Sequence, residues 1–148
     1  MNSLPFSRYA KTVQKPHPEG YPDEPKTIGE HIKKRRMDLG LSQAETARQI
    51  GVTEDTCCYW ENGRNSPKVS EYPAIIRFLE YYPQVYETET LGGKITRYKR
   101  MQGMNNRAFG AICGVDAGTV AKWERNETTP LRRSMKKVLS VLRKEAAY

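Results

Sequence analysis

From Thr27 onward, apolar side chains recur every three or four positions in short runs, each opened by a capping side chain and most closed by glycine. That pattern predicts short amphipathic helices. Thr27-x-x-Glu30 is a capping box for the first; Ile28, Ile32 and Leu39 form its apolar stripe, and Gly40 ends it in the left-handed conformation glycine tolerates. Ser42-x-x-Glu45 opens a second helix, with Ala44, Ala47 and Ile50 at helical spacing and Gly51 closing it. Thr53 caps a third, which ends at Gly63. After Pro67, Ser70 caps a fourth, with Ile75, Ile76, Phe78 and Leu79 as its core face. Pro73 falls in its first turn, where the missing N–H does no harm. No segment alternates as a strand should, so the fold class is all-α.

The pattern then repeats. Displaced by 63 residues, 27–67 lies over 90–130 without a gap, and ten of the 41 pairs are identical, including Gly29/Gly92, Gly51/Gly114, Val52/Val115, Trp60/Trp123 and Glu61/Glu124. Chance gives about two or three identities, and self-similarity at a fixed offset marks duplicated units. In the second copy Thr90 caps without an acidic partner, because Gly93 replaces Glu30. Asn105 and Asp116 cap the next two helices, Gly103 and Gly114 end the first two, and Asn126 takes the left-handed place of Gly63. A last helix is expected over 131–144, with Met135, Val138, Leu139, Val141 and Leu142 inward. The expected organisation is a Pro-rich flexible arm over 1–26, a first domain over 27–82, a linker over 83–89 and a second domain over 90–148. The arm holds five of the nine prolines, a density that excludes helix and central strand.

Composition changes this picture in one respect. The 148 residues carry 25 Lys+Arg against 17 Asp+Glu, a net charge of +8. The excess is not evenly spread: 27–83 holds eight basic and eight acidic residues, whereas 90–148 holds thirteen basic and four acidic. A basic excess points to nucleic acid, and here to a second half that grips more strongly than the first. The three cysteines, Cys57, Cys58 and Cys113, are too few and badly spaced for a disulfide scaffold or a zinc site. No apolar run approaches the ~18 residues of a membrane span. The first residues have no apolar signal core, so a cytoplasmic, nucleoid-associated protein is expected. His17 and His31 lack metal-spaced companions, and no Gly-rich phosphate loop or paired catalytic carboxylates occur. Neither an enzyme nor a cofactor is expected.

The chemistry concentrates in 41–64. Two short helices meet at Ile50-Gly51-Val52, Ala47 lets them approach, and Val52 and Trp60 anchor the second to the core. Mechanically this is a helix-turn-helix. It resembles the phage-repressor (Cro/C1-type, XRE) helix-turn-helix family through Arg36-x-x-x-Gly40-Leu41, Ser42-Gln43, Glu45, Ala47, Ile50-Gly51-Val52, Trp60-Glu61, Gly63 and Pro67. The second copy keeps Gly114-Val115, Thr119, Trp123-Glu124 and Pro130, but has Asn105-Asn106 for the Ser-Gln pair and Gly110 for Ala47.

The resemblance implies two tandem lambda-repressor-like domains whose third helices, 53–62 and 116–125, enter the major groove of double-stranded DNA. The implied contact residues are Ser42, Gln43, Thr53, Glu54, Asp55, Cys58 and Tyr59 in the first copy, followed by Arg64, Asn65 and Lys68. In the second they are Asn105, Asn106, Asp116, Ala117, Gly118, Ala121, Lys122 and Arg125. Cys57 and Val120 fall on the inward face, as do Trp60 and Trp123, despite the aptitude of tryptophan for stacking on bases. Arg36–Glu61 and Lys99–Glu124 match a family ion pair that ties the first helix to the third.

Each contact has a plainer alternative. Gln43 is either a base or phosphate ligand or a solvated polar residue. Glu54 and Asp55 either accept from cytosine N4 or serve the helix dipole. Arg132-Arg133 and Lys136-Lys137 either meet phosphate or are a solvated face.

The expected function is sequence-specific transcriptional regulation. A homodimer is expected, through Tyr72–Tyr82, the last helix or the arm, with a single chain spanning two half-sites as the other geometry. The competing functions are an adaptor that contacts RNA polymerase and binds DNA weakly, and a DNA-binding antitoxin.

Overall fold

The computed structural model describes residues 16–83 and 89–146. Expectations for 1–15 and for 84–88 lie outside the described residues. Helices α1 (Ile28–Asp38), α2 (Gln43–Ile50), α3 (Glu54–Glu61) and α4 (Tyr72–Leu79) are followed by α5 (Leu91–Gln102), α6 (Asn106–Cys113), α7 (Ala117–Glu124) and α8 (Arg132–Ala146). No strand occurs among the described residues, and the fold is all-α.

The caps are those the residues require. The Thr27 and Ser42 hydroxyls accept from Glu30 and Glu45 N–H, while those carboxylates accept from the Thr27 and Ser42 N–H, closing two full capping boxes. Thr90, Asn105 and Asp116 each accept one N–H without the reciprocal bond. Every start from α1 to α3 recurs 63 residues later in α5 to α7, and the ends of α2 and α3 recur as well. Asn126 stands at φ 57° where Gly63 stands at 70°. Its amide also ties the copy together: Oδ1 accepts from Gly92 N–H at 3.1 Å, and Nδ2 donates to Thr90 Oγ1 at 3.2 Å.

Two apolar clusters hold the helices together. One gathers Ile28, Ile32, Ile50, Trp60, Ile75 and Leu79; the other gathers Ile95, Phe109, Val120, Trp123, Val138 and Val141. Trp60 and Trp123 are each 3% exposed, so they are core and not stacking platforms. The identity Gly29/Gly92 acquires its reason here. A Cβ on Gly29 would sit 1.7 Å from the Trp60 carbonyl oxygen, and one on Gly92 would sit 2.4 Å from that of Glu124. The first helix of each set is pressed onto the end of the third, at a distance only glycine permits.

Several expectations are corrected. Ser70 does not cap a helix; it lies in a 3-10 turn, Val69–Glu71, opened by the Glu71 carboxylate accepting from Lys68 N–H at 2.7 Å. Leu39 is exposed at the end of α1, because the chain is already turning into left-handed Gly40. Leu139 is also exposed, since Val138 and Val141 take the inward positions of α8, which runs on to Ala146. The arm is not free over 16–26. Tyr21 donates to Asp38 Oδ1 at 2.6 Å, His17 stacks on Tyr21 at 3.9 Å, and Lys34 donates to the Asp23 carbonyl at 2.9 Å. The hydrogen bond to Asp38 pushes the Tyr21 hydroxyl up to about 12. Pro83, expected in the linker, is buried.

Candidate nucleic-acid interface

The turn between α2 and α3 is built by one carbonyl. Ala47 O accepts from Gly51 N–H at 2.8 Å and from Val52 N–H at 2.9 Å. Gly51, at φ 92°, then swings the chain into the Thr53 cap of α3. Between α6 and α7, Gly110 O accepts from Gly114 and Val115 N–H, the same two bonds. Gly110, unlike Ala47, is a steric necessity: a Cβ there would meet the Val115 carbonyl at 2.5 Å.

The caps fix which way the third helices face. In α3, Cys57, Trp60 and Glu61 point inward, Thr53, Glu54, Asp55 and Tyr59 are exposed, and Cys58 is half-buried. Burial pushes the Cys57 thiol up to about 12, so it is an inert packing group. In α7, Val120 and Trp123 point inward, Asp116, Ala117, Gly118 and Lys122 are exposed, and Ala121 is half-buried. Ser42 and Asn105 are exposed at the starts of α2 and α6, with Gln43 and Asn106 half-buried beside them. Arg64, Asn65, Lys68 and Arg125 are exposed beyond the third helices.

Several of these side chains already have partners. Ser42, Thr53, Asn105 and Asp116 are occupied as caps. Thr119 hydrogen bonds hold the Asp116 carboxyl below its ordinary range. Cys58 Sγ accepts from Asn62 Nδ2 at 3.3 Å. Arg64 lies over the Tyr59 ring at 5.8 Å, which aligns a cation with an aromatic face at the exposed edge of α3. Arg125 forks onto Glu127 at 2.7 and 3.2 Å, so its charge is partly neutralised locally.

Behind the first helix pair stands a satisfied ionic network. Arg36 grips both Glu61 oxygens, at 2.7 and 3.1 Å, and also donates to the Leu41 carbonyl at 3.1 Å. Gln43 Nε2 donates to Glu61 Oε2 at 2.8 Å. Gln43, for which the sequence leaves open a base or phosphate ligand and a solvated polar residue, is thus held by Glu61 with its amide oriented. In the second pair Lys99 meets Glu124. Its shorter Asn106 leaves Oδ1 buried without a partner. Neither the Gln43–Glu61 bond nor the role of Asn126 has a sequence signal beyond the spacing of the residues. Among the described residues no group of three or more His, Cys, Asp or Glu could hold a metal ion.

The helix-turn-helix family model matches residues 32–85, which spans the Gly51 turn and both flanking helices. An uncharacterized HTH-type transcriptional regulator of Methanothermobacter thermautotrophicus is 35% identical over 65 residues, covering 43% of this chain and 94% of that protein. The chain belongs to the helix-turn-helix family. The type II methyltransferase M1.ScrFI of Lactococcus lactis subsp. cremoris is 38% identical over 55 residues, or 35% of this chain. The chain spans only 14% of that methyltransferase's length, so the likeness concerns a segment and not the whole enzyme. No solved structure gives a significant match. The exposed edge of α3, the second helix of this motif, is Thr53, Glu54, Asp55 and Tyr59. No helix among the described residues is long and apolar enough to cross a membrane.

Proposed function

We propose that this helix-turn-helix protein is a sequence-specific, duplex-DNA-binding transcriptional regulator without catalytic activity, with two tandem reading units over 27–82 and 90–148. The observation that carries the second unit is the recurrence of the α2 and α3 bounds, 63 residues on, in α6 and α7, together with the same two turn hydrogen bonds. The helix-turn-helix relatives support the first unit's reading of DNA. In this account α3 reads base edges through Gln43, Glu54, Asp55 and Tyr59. The α7 edge, made small by Ala117, Gly118 and Ala121, sits close to the backbone while Lys122, Arg132 and Arg133 meet phosphate.

Selection of sites from random duplex DNA at stated salt tests this. Recovery of one consensus that shifts with Gln43→Ala or Tyr59→Ala supports it; equal retention of all sequences contradicts it. Tyr72 and Tyr82 lie under Arg100 and Arg97 of the same chain, at 4.6 and 5.1 Å. That favours the start of α8, just before which Leu131 is 81% exposed, as the contact in a homodimer. Leu131→Ser is expected to raise the concentration at which the dimer forms in sedimentation.

A further inference from the structure

The two halves meet along α4 and α5, and the contacts fall at the start of α4 and beyond its end, against the second half of α5. Near the start of α4, the Arg100 guanidinium lies 4.6 Å from the Tyr72 ring centroid. Beside it, Gly103 closes on Pro73 so tightly that an added Cβ would be 3.0 Å from the proline Cγ. Gly103 also stands at φ 67°, a conformation that disfavours any larger residue. Beyond the other end of α4, Arg97 lies 5.1 Å from the Tyr82 ring centroid. Arg97 and Arg100 are spaced by three on one face of α5, and Gly103 follows directly at its C-cap. Contacts flanking α4 on both sides oppose a pivot about a single point.

From this the geometry points to a clamp: Tyr72, Pro73 and Tyr82 against Arg97, Arg100 and Gly103 lock the two reading units into one rigid body and so set the one half-site spacing the chain accepts. The clamp is needed because the two apolar clusters are separate. A cavity of about 350 Å³ lies in the seam between them, lined by Thr27 and Ser66 on one side and by Arg100 on the other. Lys99 and Glu124 line it too, which places the end of α7 in the seam. Without the clamp the covalent link alone would permit wide excursions, since the seven Cα-to-Cα steps from Pro83 to Thr90 can extend ~25 Å. The spacing claim rests on the proposed DNA reading; the rigidity claim does not.

Backbone ¹⁵N relaxation on the full chain tests rigidity without DNA. Amides of α1–α4 and α5–α8 are expected to share one rotational correlation time. In Tyr72→Leu/Tyr82→Leu, which keeps the charge and an apolar side chain but removes both rings, the two sets should separate into shorter and unequal times. Because Tyr72 is also buried, Arg97→Gln/Arg100→Gln serves as the second variant and should separate them likewise. Two correlation times in the unaltered chain, or one shared time in both folded variants, overturns the clamp. On a selected duplex, inserting five base pairs between half-sites turns the second to the opposite face. The unaltered chain should then lose at least tenfold in affinity, and the tyrosine variant less than threefold. Equal losses in the two overturn the spacing claim. A chain that tumbles as one body yet binds no duplex retains the clamp and sinks the DNA reading.

Discussion

The turns at Gly51 and Gly114 are made by the same pair of backbone hydrogen bonds, yet the walls behind them differ in kind. Behind the first, Glu61 is fully engaged by Arg36 and Gln43, and its side chain is 1% exposed. Behind the second, one lysine meets Glu124, whose side chain is 18% exposed, and Asn106 keeps an unpartnered buried oxygen. The core reverses this order. The first half buries the Thr46 hydroxyl without a partner, where the second places Phe109 edge-on to Tyr98 at 5.9 Å. The same backbone device is therefore held by polar satisfaction on one side and by apolar packing on the other. The polar wall lies behind the exposed helix edge richer in long side chains; the apolar one belongs to the half that carries the basic excess.

The largest effects should come where the two halves agree. Gly29→Ala and Gly92→Ala force a Cβ into a carbonyl, and overpacking of this severity costs about 3 kcal/mol or more. Gly29→Ala should be the worse, given 1.7 Å against 2.4 Å. Denaturant midpoints check this, and a loss under about 1 kcal/mol for either would refute the close approach.

Breaking the ion pairs should separate the halves. Glu61→Gln strands a mostly buried Arg36 and is expected to cost roughly 3 kcal/mol, while Glu124→Gln, with its more exposed carboxylate, should cost about half that. Equal losses in calorimetry would erase the distinction.

Two substitutions should stabilise. Thr46→Val removes an unpartnered hydroxyl at constant shape, worth about 1 kcal/mol. Gly118→Ala adds a Cβ that meets nothing closer than 3.7 Å and should gain roughly 0.5–1 kcal/mol of helix stability. If the small α7 edge serves close approach to DNA, Gly118→Ala should weaken duplex binding while raising the thermal midpoint.

The smallest effect is with pH. Burial and Lys34 hold the His31 imidazole below its ordinary value of 6.5. The unfolded chain therefore takes up a proton that the folded chain refuses, and stability falls as pH drops below about 6.5. The second half contains no histidine. Amide exchange should accordingly speed up in α1–α4 between pH 7 and 5.5 after correction for intrinsic rates, with α5–α8 unchanged, and His31→Gln should abolish the difference.

The helix starts are legible in the chain because capping is local: Thr27, Ser42, Thr53, Thr90, Asn105 and Asp116 each close a bond within three residues. The inward positions of α3 and α7 follow from the same punctuation. Long-range steric facts are not legible. Gly29 answers to a carbonyl at Trp60, and nothing in its neighbourhood says so. Tyr21 on Asp38 is equally hidden, since the prolines around it signal only what the segment cannot be. Ser70 misleads because a serine before an apolar run suits a cap, yet Glu71 takes that work one turn earlier. In the candidate interface, exposure of Glu54, Asp55, Tyr59 and Lys122 is readable from register, whereas the hold of Glu61 on Gln43 requires the fold.

The division of labour between a reading half and a gripping half is most directly tested by the salt dependence of binding to one selected duplex. Neutralising Lys122, Arg132 and Arg133 should lower the slope of log K against log salt by about 0.9 for each phosphate that no longer meets a cation, leaving base preference intact. Tyr59→Ala should change base preference and leave the slope where it was. A preference confined to the bases under α7, with a slope insensitive to those three cations, would contradict the account.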